Sequence, residues 1–430
     1  MGAAWRATHV QGTGPLQVLT RERPIPHGDR ARPGGSCRHS ATFPARRRTV
    51  SPRVAALGPK DLMITKRALY QLHKYCGLVA AVFILIQAAS GVLLLFQDTL
   101  GPRLDAGRPP TQTTDGAAAD TVRLRRLQAV LATAHPNATL RRLDFPSQAD
   151  APYLAHLTDP DGRARYVALD PTSAGILRDG SVWRFPAIAL LRLHDQMLTG
   201  RPGTAVIILV GLATLMVTLT GLAHWWPRPG RWRQSLTIQR GQPARMILRQ
   251  GHRILGAVAA VVIAISTLTG LTLAVPMVLA APSPPPTATL ATMSDWGGAL
   301  VLARARFPAH PVRDLRSRGA DLLDVYFRAP EYGPVAVHQV TVDLLSGHET
   351  LSVPADRNTD AWVVALPIHT GGMAGATGLG LALFAGLSLA TLAITGPAMW
   401  LHLALVKARN RRRRMAGAPS PVTAIQKVRS

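Results

Sequence analysis

Four long apolar stretches without charged residues limit what this chain can fold into. They cover residues 77–96, 203–226, 254–279 and 374–403. A helix rises about 1.5 Å per residue, so about 20 apolar residues cross the roughly 30 Å hydrocarbon core of a bilayer. Each stretch reaches that length. The sequence therefore predicts a membrane protein with four spans.

Positive charge is concentrated on alternate segments between these spans. The chain has a formal charge of +26, and seven Arg but no acidic residue lie between Trp226 and Ile254. Eight Lys or Arg and again no acid follow Leu403. The charges of the two long loops are nearly balanced. Loop 98–201 has 13 basic and 11 acidic residues, and loop 280–370 has 7 basic and 9 acidic residues. The positive-inside rule predicts cytoplasmic termini, a cytoplasmic middle loop and two outward loops, and gives no reason to expect nucleic-acid binding.

The spans carry a repeated pattern of His, Gly and hydroxyl-Gly residues. One set recurs at a spacing of 179 residues: His73, Gly77, Ser90 and Gly91 correspond to His252, Gly256, Thr269 and Gly270. A second set recurs at 175 residues: His194, Gly200, Thr220 and Gly221 correspond to His369, Gly375, Thr395 and Gly396. The pattern predicts a unit of two spans, each with one His and one hydroxyl-Gly pair, present twice.

Each outward loop has the pattern of a small α+β domain. A Pro-rich spacer comes first (101–119 and 282–287), then an amphipathic segment near 122–134 or 295–306. Short β-prone runs follow, separated by Pro, Asp and Gly turns: 139–145, 153–158 and 165–169 in the first loop, and 312–316, 323–328 and 335–342 in the second. We expect two such domains.

The N-terminal segment differs from the rest. Residues 1–62 are rich in Arg, Pro and Gly without apolar periodicity, which predicts disorder, and we hypothesise that translation starts at Met63. The two cysteines, Cys37 and Cys76, lie outside both outward loops, so those loops contain no disulfide. The absence of CxxCH excludes covalently attached haem c.

The predicted fold is a membrane all-α four-helix bundle built from two repeats, with two small α+β extracytoplasmic domains. Its segments are a leader (1–62), span one (63–98), outward domain one (99–185), span two (186–228), a cytoplasmic loop (229–250), span three (251–280), outward domain two (281–366), span four (367–406) and a basic cytoplasmic tail (407–430).

Several short motifs resemble one known family. They are LHKYCG, LHDQMLTG, GHRILG and IHTGG at the span starts, HWWPR after the second span, TGPAMW in the fourth, and DPTSAG after the third strand of the first loop. Over residues 66–414 the chain resembles the PepSY-associated transmembrane family. In the second loop, DLLSG replaces DPTSAG, and the resemblance is weaker there.

The resemblance implies a bacterial inner-membrane protein with two periplasmic PepSY-like domains. Members of the family are often iron-regulated, and some are ferric-siderophore reductases that hold b-type haem between their helices. The resemblance therefore implies a role in iron uptake.

The histidine positions also predict haem ligation by themselves. Haem b with two axial imidazoles needs His residues from facing helices at one membrane depth. His73 and His252 start outward-going spans on the cytoplasmic side, and His194 and His369 start inward-going spans on the outer side. The sequence therefore predicts two haem b groups that relay electrons outward, with neutral imidazoles as ligands. Asp195 is a candidate acceptor for the ring of His194.

Alternatives stay open for these residues. A single interfacial His is commonly only a polar residue at the headgroups, and His224 and His402 are rival ligands that break the repeat. The hydroxyl-Gly pairs predict either close helix packing or room for a porphyrin. The histidines of the outward loops are expected to be solvated: His135, His156, His310, His338 and His348.

The predicted function is reduction of a ferric siderophore or other ferric chelate at the outer face. Trp183, Trp296, Trp362 or loop arginines are candidate contacts for the chelate, and an unidentified cytoplasmic donor supplies the electrons. Two alternatives remain at this point. One is a non-enzymatic membrane anchor that binds or regulates a periplasmic partner, and the other is a haem protein that reduces quinone or another redox protein.

Overall fold

A computed structural model describes residues 59–106, 117–148, 151–280, 289–290, 292, 295–318 and 321–416. Residues 1–58, most of the predicted disordered leader, lie outside this part, as do residues 281–288, which contain the second spacer. The first helix begins at Pro59, so the last residues of the predicted leader are helical.

The helices of the described residues are α1 (Pro59–Leu94), α2 (Gln97–Ala106), α3 (Ala117–Ala134), α4 (Pro186–Gln196), α5 (Arg201–Trp225), α6 (Trp232–Ser235), α7 (Ala244–Leu279), α8 (Trp296–Arg306), α9 (Ala361–His369) and α10 (Gly375–Ala416). The strands are β1 (Thr139–Asp144), β2 (Tyr153–Thr158), β3 (Ala164–Leu169), β4 (Ile176–Gly180), β5 (Val312–Arg318), β6 (Leu322–Arg328), β7 (Val337–Asp343) and β8 (His348–Val353).

Four of the helices form a transmembrane bundle. α1, α5, α7 and α10 are long and apolar enough to cross a bilayer, which confirms the prediction of four spans. α1 and α7 each pack against both α5 and α10, so α1 and α7 lie diagonally across the bundle. Glycines permit this packing: a Cβ atom on Gly211 would come within 2.8 Å of the Leu271 side chain, and one on Gly386 within 2.5 Å of Val92.

Short helices, α4 and α9, precede the second and fourth spans. The sequence predicted that each of these spans is one continuous segment, beginning at residues 186 and 367. Chain direction changes between α4 and α5, because Met197, Leu198 and Gly200 have positive φ angles of 46°, 61° and 72°. Between α9 and α10, Gly371 has a φ of 79°. α4 packs against α1, and α9 packs against α7.

The outward loops form one antiparallel sheet instead of two separate domains. Its strand order is β4-β3-β2-β1-β5-β6-β7-β8, and β1 pairs with β5 at its centre. Six of the strands coincide with predicted ones, whereas β4 and β8 were not predicted. The predicted spacer 101–119 also differs, since Gly101 to Ala106 belong to α2. We call this side of the bundle the sheet end, and the side of the seven-arginine segment the arginine end.

Charged side chains lie at the junction between the two halves of the sheet. Asp144 of β1 lies opposite Asp314 of β5, and Arg142 lies opposite Arg316. Like charges directly opposite each other are unfavourable, but the neighbouring opposite charges pair: Arg142 with Asp144, and Arg316 Nε with Asp314 Oδ1 at 2.6 Å. Arg142 Nη2 also lies 3.5 Å from Asp314 Oδ2, across the junction.

A single apolar core covers one face of the sheet. Leu124, Leu127 and Leu131 of α3 pack there beside Trp296 and Leu300 of α8. Because side chains alternate along a strand, the charged residues of β1 and β5 lie on the opposite face. That face meets α2 and α4, so the sheet is placed directly against the helices that lead into the bundle.

Trp296→Ala should destabilise this core strongly. Trp296 is 0% exposed, and removing a buried tryptophan costs about 3–5 kcal/mol because the cavity does not close. Trp183, which is 72% exposed, provides the matched control. We expect the melting midpoint of detergent-purified protein, followed by circular dichroism, to fall in Trp296→Ala and to stay unchanged in Trp183→Ala. Equal midpoints would contradict the structure.

Candidate functional site

The four histidines of the repeated pattern form two pairs. The ring centres of His73 and His252 are 6.4 Å apart, and those of His194 and His369 are 6.2 Å apart. His73 and His252 lie on the diagonal helices α1 and α7 near the arginine end. His194 and His369 lie on α4 and α9 at the sheet end, on the short helices and not on the spans themselves.

Two of the rings donate hydrogen bonds to backbone carbonyl groups. His73 Nδ1 lies 2.9 Å from the oxygen of Val217, and His369 Nδ1 lies 2.9 Å from the oxygen of Ser266. A carbonyl oxygen only accepts hydrogen bonds, so the proton of each neutral ring is on Nδ1.

Hydroxyl groups determine the tautomer of the other two rings. His194 Nδ1 lies 2.9 Å from Ser90 Oγ, and His252 Nδ1 lies 2.7 Å from Thr395 Oγ1. Each hydroxyl donates its own proton to the carbonyl oxygen four residues earlier in its helix, so it accepts from the ring. All four imidazoles therefore have a free lone pair on Nε2, the form that binds a metal ion.

Glycines next to these hydroxyls make room for the rings. A Cβ atom added to Gly221 would lie 2.9 Å from His73 Cε1, and the corresponding distances are 3.1 Å for Gly91 and His194, 3.1 Å for Gly270 and His369, and 3.6 Å for Gly396 and His252. The hydroxyl-Gly pair thus holds an imidazole. The hydroxyl group, or the backbone carbonyl three residues before it in the same helix, accepts the hydrogen bond from Nδ1, and the glycine leaves space for the ring. This use of the pair differs from both sequence interpretations.

The sheet-end rings are neutral at pH 7. Burial lowers the pKa of His369, and burial together with the neighbouring His369 lowers the pKa of His194 to about 4. Neutral imidazole is the ligating form.

The residues present fit a b-type haem at each pair. Two imidazoles that would hold the same metal ion, each through a nitrogen about 2 Å from it, have ring centres roughly 6 Å apart. Both observed separations agree with this value. Haem binding itself stays a prediction.

One sequence prediction needs correction. Asp195 does not contact the ring of His194, because it forms an ion pair with Arg192 at 3.0 Å. The acceptor for the ring of His194 is the hydroxyl of Ser90. The rival ligands His224 and His402 are exposed, and the ring of His224 lies 5.6 Å from that of Tyr70.

Most loop histidines are also less solvated than predicted. His135 lies 3.0 Å from Asp179, His156 lies 2.9 Å from Asp144, and His338 is buried. His348 is exposed, as expected.

His310, Glu331 and His338 place three potential ligand atoms within 4.8 Å of one another. However, the backbone N–H of Ala355 donates to His338 Nδ1, which puts the ring proton on Nε2. A protonated nitrogen does not bind a metal ion, so this cluster does not suit one.

The three candidate tryptophans lie in different environments. Trp183 is exposed, whereas Trp296 is buried in the core and cannot contact a chelate. Trp362 lies on α9 beneath the guanidinium groups of Arg313 and Arg316, whose central carbons are 4.8 and 5.3 Å from the ring centre.

Comparison with known proteins identifies one family. The family model for the PepSY-associated TM region matches residues 70–402, which include all four histidines and the whole sheet. No curated protein matches the chain. The match confirms the resemblance inferred from the histidine and glycine motifs.

Proposed function

We propose, on the premise that this chain belongs to the PepSY-associated transmembrane family, that it is a b-type haem protein of the bacterial inner membrane. It passes electrons from the cytoplasm to a periplasmic ferric chelate, such as a ferric siderophore, for iron uptake. In this orientation the arginine end is cytoplasmic, and the sheet end is periplasmic.

The observation that carries the proposal is the arrangement of the two imidazole pairs. One pair lies toward each end of an apolar bundle, and all four rings have a free Nε2 lone pair. An interfacial histidine that serves only as a polar residue does not need a fixed tautomer, a matching glycine and a partner ring at 6.2–6.4 Å.

The chain's own residues would hold and orient the cofactors. His73 and His252 would ligate one haem, and His194 and His369 the other. A bound haem supplies reversible one-electron chemistry. Ser90, Thr395 and the carbonyl groups of Val217 and Ser266 keep the protons on Nδ1, and hydrogen bonding there raises the basicity of each ligating nitrogen.

Reduction would release the metal from its chelator. One electron converts Fe(III) to Fe(II) in the chelate, and hard oxygen ligands hold the softer Fe(II) less tightly. The sheet, which contacts the short helices of the sheet-end pair through Tyr166 and Tyr326, is the surface available to a periplasmic chelate.

Purified protein, reduced anaerobically with dithionite and freed of excess reductant, tests this function. We expect b-type absorption bands, their loss on mixing with ferric citrate, and the appearance of an equivalent amount of Fe(II) trapped by bipyridine. Protein carrying both His194→Ala and His369→Ala should retain only the arginine-end haem and react much more slowly.

Two results would reject the proposal. A colourless protein with native helix content would support the membrane-anchor function. A haem protein that a quinone oxidises and ferric citrate does not would support electron transfer to another acceptor.

A further inference from the structure

A cavity of about 300 Å³ lies between the charged face of the sheet and the helices α2 and α4. Arg142, Arg313 and Arg328 of the sheet line the cavity, together with Ala187 and Leu191 of α4. Asp98, Asp105 and Asp144 also line the cavity, so it contains three arginines and three acids above the helix that carries His194.

Arg313 lacks a full set of partners in this pocket. Its Nη1 atom is buried without a hydrogen-bond acceptor among the described residues. Its nearest carboxylate is Asp314, 3.6 Å from Nε, and that group is already bound more closely by Arg316. Burial above all lowers the pKa of Arg313 to about 10, and nearby Arg142 and Arg316 add to this effect. The group is still protonated at pH 7, and it favours an additional anion.

Arg328 has no ion pair or side-chain hydrogen bond within the described part of the chain, and burial lowers its pKa. Burial outweighs the attraction of Asp144 and Asp98, which raises the pKa of Arg328, and neither acid forms an ion pair with it. Asp144 is bound by Arg142 and His156, Asp105 accepts the backbone N–H groups of Ala187 and Ile188, and Asp98 is exposed.

The helices α4 and α9 link the cavity region to the two histidines of the sheet-end pair. Ala187 precedes His194 by seven residues on α4, and Trp362, beneath Arg313, precedes His369 by seven residues on α9. Seven residues are about two helical turns, so in each helix the two positions share one face.

We propose that this cavity binds a carboxylate group through the guanidinium groups of Arg313 and Arg328. Arginine matches the planar geometry of a carboxylate with paired N–H donors, and the burial of Arg313 strengthens such bonds. The inference rests on the proposed function and names its substrate class: ferric chelates that have carboxylate groups. A haem propionate of the sheet-end site has the same chemistry and is the other possible source of the carboxylate.

Gallium(III) citrate separates binding from electron transfer because Ga(III) is not reduced under these conditions. We expect it to bind intact, haem-loaded protein in a calorimetric titration, and Arg313→Gln and Arg328→Gln each to weaken binding by about tenfold or more. Arg313→Lys should restore part of the affinity. Arg163→Gln, which removes an exposed arginine of the β2–β3 turn, is the matched control and should bind normally.

Haem content and the midpoint potential of each haem, measured on the same variants, identify the source of the carboxylate. Weaker gallium citrate binding with unchanged haem assigns the pocket to the chelate. Loss of the sheet-end haem, or a shift in its potential, without citrate binding to native protein assigns it to a propionate.

Native affinity for gallium citrate together with native haem properties in folded Arg313→Gln and Arg328→Gln protein would overturn the proposal. Protein that binds gallium citrate at these arginines but does not reduce ferric citrate would reject the proposed function and leave the carboxylate site intact.

Discussion

His369→Ala protein is expected to contain one haem per chain, about half of the native amount, because a bis-imidazole site does not survive the loss of an axial ligand to alanine. The remaining haem should be the one at the arginine end, held by His73 and His252. His252→Ala should show the opposite loss. The pyridine haemochrome assay measures the total, and reduced-minus-oxidised spectra with a redox titration show which site remains.

Double variants make this test sharper. His194→Ala combined with His369→Ala removes two ligands of one site, so it should lose no more haem than either single variant. His194→Ala combined with His252→Ala affects both sites and should lose nearly all haem. The exposed histidines provide matched controls, since His224→Ala and His402→Ala should retain both haems. A His224→Ala variant that loses the arginine-end haem would show that the ligand pairs are wrongly assigned.

Regular periodicity allowed much of the fold to be predicted from the sequence. The four spans are long and free of charge, and six of the eight strands have strong β-prone patterns between turn residues. β4 and β8 escaped detection because their sequences, ILRDG and HETLSV, have little apolar alternation. Neither strand contributes a fully buried side chain, so neither sequence needs alternating apolar residues.

The joining of the two outward domains could not be predicted from the charge pattern of their strands. β1 contains Arg142-Leu143-Asp144, and β5 contains the reverse order, Asp314-Leu315-Arg316. In the antiparallel pair this order places Leu143 opposite Leu315, but it also places Asp144 opposite Asp314 and Arg142 opposite Arg316. Like charges directly opposite each other are unfavourable, so this pattern does not predict that two strands about 170 residues apart pair.

The surroundings of the histidines were the least predictable part of the site. Asp195 follows His194 directly, but consecutive residues of a helix point in different directions, so proximity in sequence was a poor guide. The true acceptor, Ser90, lies 104 residues away on another helix. The repeat did indicate that every histidine has an associated hydroxyl-Gly pair. It did not indicate which pair accompanies which ring, because that depends on how the helices pack.

The connection between α4 and α5 leads to a second large expected effect. A Cβ atom on Gly203 would lie 1.8 Å from the carbonyl oxygen of Gln196 and 2.6 Å from Thr199 Oγ1. A backbone carbonyl cannot rotate away like a side chain, so Gly203→Ala must displace the end of α4. His194 is only two residues before Gln196, and its ring would move with the helix.

We expect Gly203→Ala to lose most of the sheet-end haem and to keep the arginine-end haem. Gly378→Ala should have the same effect through α9 and His369, because its Cβ atom would lie 1.9 Å from the Gly371 oxygen. Gly380 is the matched control, since a Cβ atom there meets nothing within 4 Å, and alanine is the better helix former. Haem content and redox titration of the three purified variants measure the outcome. Native haem content in Gly203→Ala would mean that the position of the short helix does not control the sheet-end site.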